Sequence, residues 1–138
     1  MIELIPLATA ELKTRKPIAL GDTPRGQRII GEVIEARFEG ERFSARQVGA
    51  AAADWALQRP DGIIEIDARI TLETDDGALV YLEYDGNSDP AERGQQSILS
   101  MMRFETSDER YAWLNRVRAV AKGEFTGEAV CYEIFELR

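Results

Sequence analysis

From Ile64 to Leu72 the chain alternates strictly: Ile64, Ile66, Ala68, Ile70 and Leu72 are apolar, and Glu65, Asp67, Arg69 and Thr71 between them are polar. A period of two sends successive side chains to opposite faces of an extended chain, so this stretch predicts a strand with two unlike faces. The segment that follows alternates too, with Ala78, Val80, Leu82 and Tyr84 on one set of positions. A two-residue turn at Asp76-Gly77 would set Leu72 against the wrong set. A three-residue loop, Asp75-Asp76-Gly77, instead places Leu72 opposite Val80, Ile70 opposite Leu82 and Arg69 opposite Glu83. Such loops favour a left-handed residue in a bulge, which Gly77 supplies without strain.

The rest of the chain reads as short β-runs broken by Gly, Pro and Asp. Strands are expected over residues 2–12, with a break near Pro6, over 28–38 and over 42–48. Further strands are expected over 54–58, 98–105, 115–123 and 128–137. Residues 50–53 also fit a helix start. Loops are expected at 20–26, 59–62 and 86–94. Asp108 is placed to cap a single helical turn through Tyr111, with Trp113 and Leu114 packing inward. The pattern predicts one all-β domain over residues 1–138. Its expected form is an antiparallel, lipocalin-like closed barrel of about eight or nine strands with one short helical turn. Closure is favoured because most connections look like hairpins and a closed barrel leaves no exposed strand edge.

Composition narrows the chemistry. The 138 residues carry a net charge of −8, which disfavours nucleic acid or an anionic membrane surface as partner. One cysteine, Cys131, makes no internal disulfide. With neither a basic apolar leader nor a membrane-length apolar run, the expected location is the cytoplasm. There is no histidine. That removes Ser-His-Asp and Cys-His catalysis and any imidazole metal site, leaving carboxylates, arginine, lysine, tyrosine and asparagine. No metal and no cofactor is expected.

Two motifs fail on inspection. Asp85 to Asp89 opens like a calcium loop, but Pro90 and Gln96 stand where glycine and glutamate are needed. Residues 21–26 lack the Gly-Lys-Ser/Thr ending of a phosphate loop. Cys131, in an alternating strand with Ala129 and Phe135, reads as an inert packed thiol. The polar hairpin face holds more: Asp67, Arg69, Thr71, Tyr81, Glu83 and Asp85 share one side of the sheet. As a solvent face it carries an Arg69–Glu83 cross-strand pair worth about 1 kcal/mol or less. As a lumen lining it forms a ligand site with a buried, perturbed Asp67. Trp55 and Trp113 either fill core or flank a flat ligand, and Glu105 and Asn115 beside Trp113 make a directional polar pocket.

Asp54-Trp55 with Arg59-Pro60-Asp61-Gly62 is one of three ordered motifs. The others are Asp67 through Tyr81, and Arg103-Phe104-Glu105-Thr106 with Tyr111 through Asn115. On these the chain resembles, from about Leu4 to Leu137, the family called domain of unknown function 3237. The resemblance implies a small β-barrel, commonly from bacteria and some fungi, and no settled activity. It picks out Trp55, Asp67, Tyr81, Glu105, Trp113 and Asn115.

The first reading is a barrel that binds a small, partly apolar organic molecule in its lumen and performs cofactor-free acid–base chemistry such as isomerisation, cyclisation or lyase cleavage. Asp67 or Glu105 would move the proton as catalytic residues. Tyr81 and Asn115 would orient a carbonyl, Trp55 and Trp113 shape the pocket, and Arg69 or Arg103 hold a carboxylate. The alternatives are a non-catalytic carrier or sensor, and a structural module whose polar hairpin face makes a homo-oligomer.

Overall fold

The computed structural model describes residues 1–91 and 97–138, and in it the alternation of the central hairpin recurs around a closed wall. Ten strands occur among the described residues: β1 (Leu4–Thr14), β2 (Ile18–Thr23), β3 (Gly26–Glu39), β4 (Ala45–Gln47), β5 (Ala53–Gln58), β6 (Ile64–Thr74), β7 (Leu79–Ser88), β8 (Ser97–Glu105), β9 (Arg118–Phe125) and β10 (Ala129–Leu137). All pair antiparallel. From β1 the order runs through β10, β9, β8, β7 and β6; β5 links β6 to β3, and β3 returns to β1. These eight strands close the barrel, and β2 and β4 are additional.

The central hairpin has the expected register, with Leu72 opposite Val80, Ile70 opposite Leu82 and Arg69 opposite Glu83. The Gly77 N–H donates to the Thr74 carbonyl at 2.9 Å, and Gly77 is left-handed at φ +94°. Ile66, Ala68, Ile70 and Leu72 are buried, whereas Asp67 and Arg69 are exposed.

Several elements depart from the sequence expectation. Residues 20–26 are not one loop, because β2 runs to Thr23 and pairs with β3. Gly21, at φ +84°, makes a bulge between Ala19 and Gly21 and bends the strand without ending it. Residues 50–53 form no helix. The strand expected over 42–48 shrinks to β4, while Phe43 turns into the core. β7 continues through Ser88, because Gly86 lets the Leu99 backbone approach where any Cβ would lie 2.0 Å from its carbonyl oxygen. The remainder of the expected 86–94 loop falls partly outside the described residues. Asn115 belongs not to β9 but to a 3₁₀ helix over Glu109–Arg116, longer than the single turn expected and capped by Asp108 as expected. Cys131 is exposed rather than packed, since its parity points out of the wall with Glu133.

The two ends of the barrel differ. At the end carrying the 3₁₀ helix, the fully buried Leu114 joins an edge-to-face chain linking Phe38, Phe43, Phe104 and Tyr111, with centroids 5.8–6.4 Å apart. Large side chains plug this end. Toward the opposite end the inward positions become small: Gly31, Ala56, Ala68, Gly86, Ser88, Ser100, Ala121 and Gly123 occupy the matching registers. Among the described residues no helix is long and apolar enough to cross a membrane.

Candidate functional site

The residues singled out from the sequence lie on the outside of the barrel. Asp67, Arg69, Glu105 and Asn115 are exposed, Tyr81 is half-buried, and Glu83 pairs with Arg103 across β7 and β8. The solvent-face reading of the hairpin is therefore the structural one, for a physical reason. An eight-stranded barrel has an interior just wide enough for side chains or one small ligand, and the apolar Ile, Leu and Val face of the hairpin turns toward it, leaving the charged face to water. Tyr81, Arg103, Glu105 and Asn115 share an outer groove of about 330 Å³. Asp67 lies in a neighbouring groove with Glu83 and Arg103. Trp55 sits apart under Arg69, whose guanidinium is 5.7 Å from the ring centre. Trp113 lies at the plugged end beneath Arg42. Asn115 acts locally, as a latch. Its side chain accepts the Thr106 N–H at 2.8 Å and donates to the Thr106 carbonyl at 3.0 Å, fastening the 3₁₀ helix to the end of β8.

The polar chemistry inside the wall centres on Asp54. Its cross-strand partners are Gly31 on β3 and Ala68 on β6, and Ala68 in turn faces the buried Tyr84, so Asp54 shares the inner face. The β5–β6 ladder is interrupted between the Asp54–Ala68 and Leu57–Glu65 pairs. In that gap Asp54 Oδ1 accepts the Asp67 main-chain N–H at 2.9 Å, which satisfies a donor the sheet leaves unpaired. Beside Asp54 the inner face is open: a Cβ built on Gly31 meets nothing within 4 Å.

Two phenols complete the cluster. Tyr84 and Tyr132 are 7% and 4% exposed and pack edge to face at 5.7 Å. Tyr132 lies over Gly123, where a Cβ would stand 2.5 Å from the ring. Among the described residues the buried hydroxyl of Ser88 has no hydrogen-bond partner, and the buried hydroxyl of Ser100, on the same inner face, lies within reach of the Tyr132 hydroxyl. An unpaired buried hydroxyl is costly, and Ser88 on the same inner face as a carboxyl and two phenols gives an incoming polar group something to bind.

The titration of these groups follows from their burial. Loss of water pushes the Asp54 carboxyl up to about 6; the Asp67 N–H opposes this and the Asp67 charge adds to it. Burial also pushes Tyr132 up to about 12, with Ser100 and Tyr84 drawing it down and the Asp54 charge raising it. Tyr84 rises well above the ordinary phenol range, by burial first and then by the Tyr132 and Asp54 environment. Asp54 can therefore exchange a proton near neutral pH while both phenols remain protonated donors. Among the described residues no three His, Cys, Asp or Glu side chains converge as a metal site would require.

Sequence reasoning passed over this cluster. Asp54 stands as a lone carboxylate in the apolar run between Ala50 and Leu57, which is the signal that marks it. Tyr84 falls on the apolar parity of its strand, where a polar tip needs a partner.

A family profile described as "Protein of unknown function (DUF3237)" matches residues 2–137. A UPF0311 protein of Rhodopseudomonas palustris is 28% identical over 130 residues, covering 85% of this chain and 84% of that protein. A crystal structure described as a beta-barrel like protein from Acinetobacter baumannii superposes with a TM-score of 0.90 at 32% identity, covering 100% of this chain and 97% of that one. A structure described as an enzyme from Penicillium herquei superposes with a TM-score of 0.78 at 20% identity, covering 100% and 94%. That last likeness is one of fold.

Proposed function

We propose that this chain, which belongs to the DUF3237 family, binds a small, partly apolar organic molecule in the small-residue half of its barrel and acts on it by cofactor-free acid–base chemistry with Asp54 as the proton carrier. The observation behind this reading is the grouping of an inward carboxyl, pushed up to about 6, with two buried phenols and two buried hydroxyls, that of Ser88 unpartnered among the described residues. A carboxyl with a pKa near the working pH is a good general acid or base. Tyr84 and Tyr132 would donate to a carbonyl or enolate oxygen, Ser88 or Ser100 would orient a second polar group, and Ile64, Ile66 and Ile98 would bound the apolar part. Among the described residues the inward strand positions carry no arginine or lysine, so a neutral carbonyl or phenolic compound suits the site better than an acid. The fold hosts catalysis in at least one protein, the Penicillium herquei enzyme.

Saturation-transfer NMR with a panel of small cyclic ketones and phenols tests the binding. Exchange of their acidic C–H protons with D₂O tests the chemistry. Binding that weakens in Tyr132→Phe, together with exchange that disappears in Asp54→Asn, supports an enzyme. Binding without exchange would move the protein to the carrier class. No panel member bound, or binding indifferent to both substitutions, overturns the site.

A further inference from the structure

The plugged end of the barrel carries a second constellation that the Asp54 cluster does not use. There Arg42, Trp113, Arg116, Val117, Glu136 and Arg138 line an open groove of about 570 Å³. Glu136 is its buried anchor, 9% exposed. Arg42 Nη2 donates to Glu136 Oε2 at 2.8 Å, and Arg138 Nε donates to Oε1 at 3.3 Å. The Arg42 guanidinium also lies 4.9 Å from the centre of the Trp113 ring. One carboxylate thus fixes two guanidinia, one of them over a partly exposed indole.

The clamp on Glu136 explains Arg42 and Arg138 but not Arg116. Arg116 is exposed in the last turn of the 3₁₀ helix, and among the described residues it makes neither an ion pair nor a side-chain hydrogen bond. The charge balance of the groove is also unlike the rest of the surface. Three guanidinia face one carboxylate here. Four other grooves hold at most two cations each, with at least as many carboxylates. In a chain of net charge −8 this groove attracts anions that the molecule as a whole repels.

We propose that this groove is a binding site for a planar organic monocarboxylate, of which an aryl carboxylate is the simplest form. The carboxylate takes the free fork of Arg116, a geometry that guanidinium matches with two parallel hydrogen bonds. The ring lies against Trp113, which offers a flat apolar face beside a fixed cation. The site is separate from Asp54 and stands whether or not that residue carries catalysis.

Titration calorimetry of the full chain with benzoate, benzyl alcohol and inorganic phosphate tests the assignment, with Trp113 fluorescence in a Trp55→Phe background as a second readout. Benzoate is expected to saturate and to quench Trp113. Benzyl alcohol, of the same shape without charge, and phosphate, charged without a ring, should each bind at least tenfold more weakly. Arg116→Ala and the milder Arg116→Gln should both weaken benzoate by about tenfold, because each removes the fork from a residue that holds nothing else in place. Asp54→Asn should leave benzoate affinity unchanged. No saturation at tens of millimolar, equal binding of the alcohol or of phosphate, or indifference to both Arg116 variants overturns the proposal. So does loss of benzoate binding in Asp54→Asn, which would place the ligand in the barrel.

Discussion

Asp54 Oδ1 accepts the main-chain N–H of Asp67 at 2.9 Å, across a gap in the β5–β6 ladder. The two aspartates divide one position in the wall: Asp67 contributes its backbone and sends its carboxylate to water, while Asp54 brings its carboxylate to the inner face. A buried charge that is only partly compensated is a liability for folding, and this one lies beside two phenols with elevated pKa values.

That liability has a pH signature. The folded pKa of Asp54 is raised from 3.8 to about 6. Relative to an unshifted carboxyl, its contribution to stability is fully present below about pH 4 and is lost as pH rises through about 6. Asp54→Asn keeps the acceptor for the Asp67 N–H and removes the charge. The variant should match the wild type near pH 4 and exceed it at pH 8, by up to about 3 kcal/mol. Chemical denaturation at the two pH values checks this; a variant less stable than wild type at pH 8 would show that Asp54 is well solvated.

How much of this was legible in the sequence varies with the residues. The central hairpin was readable to the register, because its alternation is strict and Asp75-Asp76-Gly77 admits one loop length that pairs like with like. β2 was not, because Gly21 and Pro24 read as stops; a left-handed glycine instead makes a bulge that pairing survives. Asp54 was hidden among alanines, whose small side chains give almost no periodic signal, so its parity appears only once Ala68 is seen opposite it. Alternation marked the polar face of the hairpin but not which side of the wall it takes. The turning of the apolar face toward the barrel interior decides that.

Asn115 bears on the difference between a residue that binds ligand and one that holds a helix. Both its hydrogen bonds go to Thr106, so Asn115→Ala should cost about 1 kcal/mol of stability. Asn115→Asp keeps the acceptor and loses the donor, and should fall between. Thermal melts of the three proteins rank them, and no loss in the alanine variant would show that the latch is solvent-replaceable.

Two glycines on the inner face make opposite predictions about space. At Gly31 a Cβ meets nothing within 4 Å, so Gly31→Ala should fold with stability close to the wild type. Gly31→Leu should place its side chain beside Asp54 and reduce binding of any lumen ligand without unfolding the barrel. At Gly123 a Cβ would stand 2.5 Å from the Tyr132 ring, so even Gly123→Ala must displace that ring, at a cost of about 1–3 kcal/mol. Equal melting temperatures for the two alanine variants would mean that the phenol pair is loosely held.

Glu136 sets the acid limit. Burial pushes its carboxyl up, but the guanidinia of Arg42 and Arg138 outweigh burial and hold it below its ordinary value of 4.5. With a depressed folded pKa, the stability it contributes is present above the unfolded value and is lost as pH falls below about 4.5. Asp54 works in the other direction, its ionised form being the costly one, so the two groups place the stability maximum between them. Glu136→Gln leaves Arg42 and Arg138 facing each other without a counter-charge at the buried anchor, and should destabilise most at neutral pH and least near pH 3. Unfolding free energies measured across that range should show the gap between wild type and Glu136→Gln closing as the medium is acidified. A gap that stays constant would mean that Glu136 acts through packing and neutral hydrogen bonding, with its charge contributing nothing.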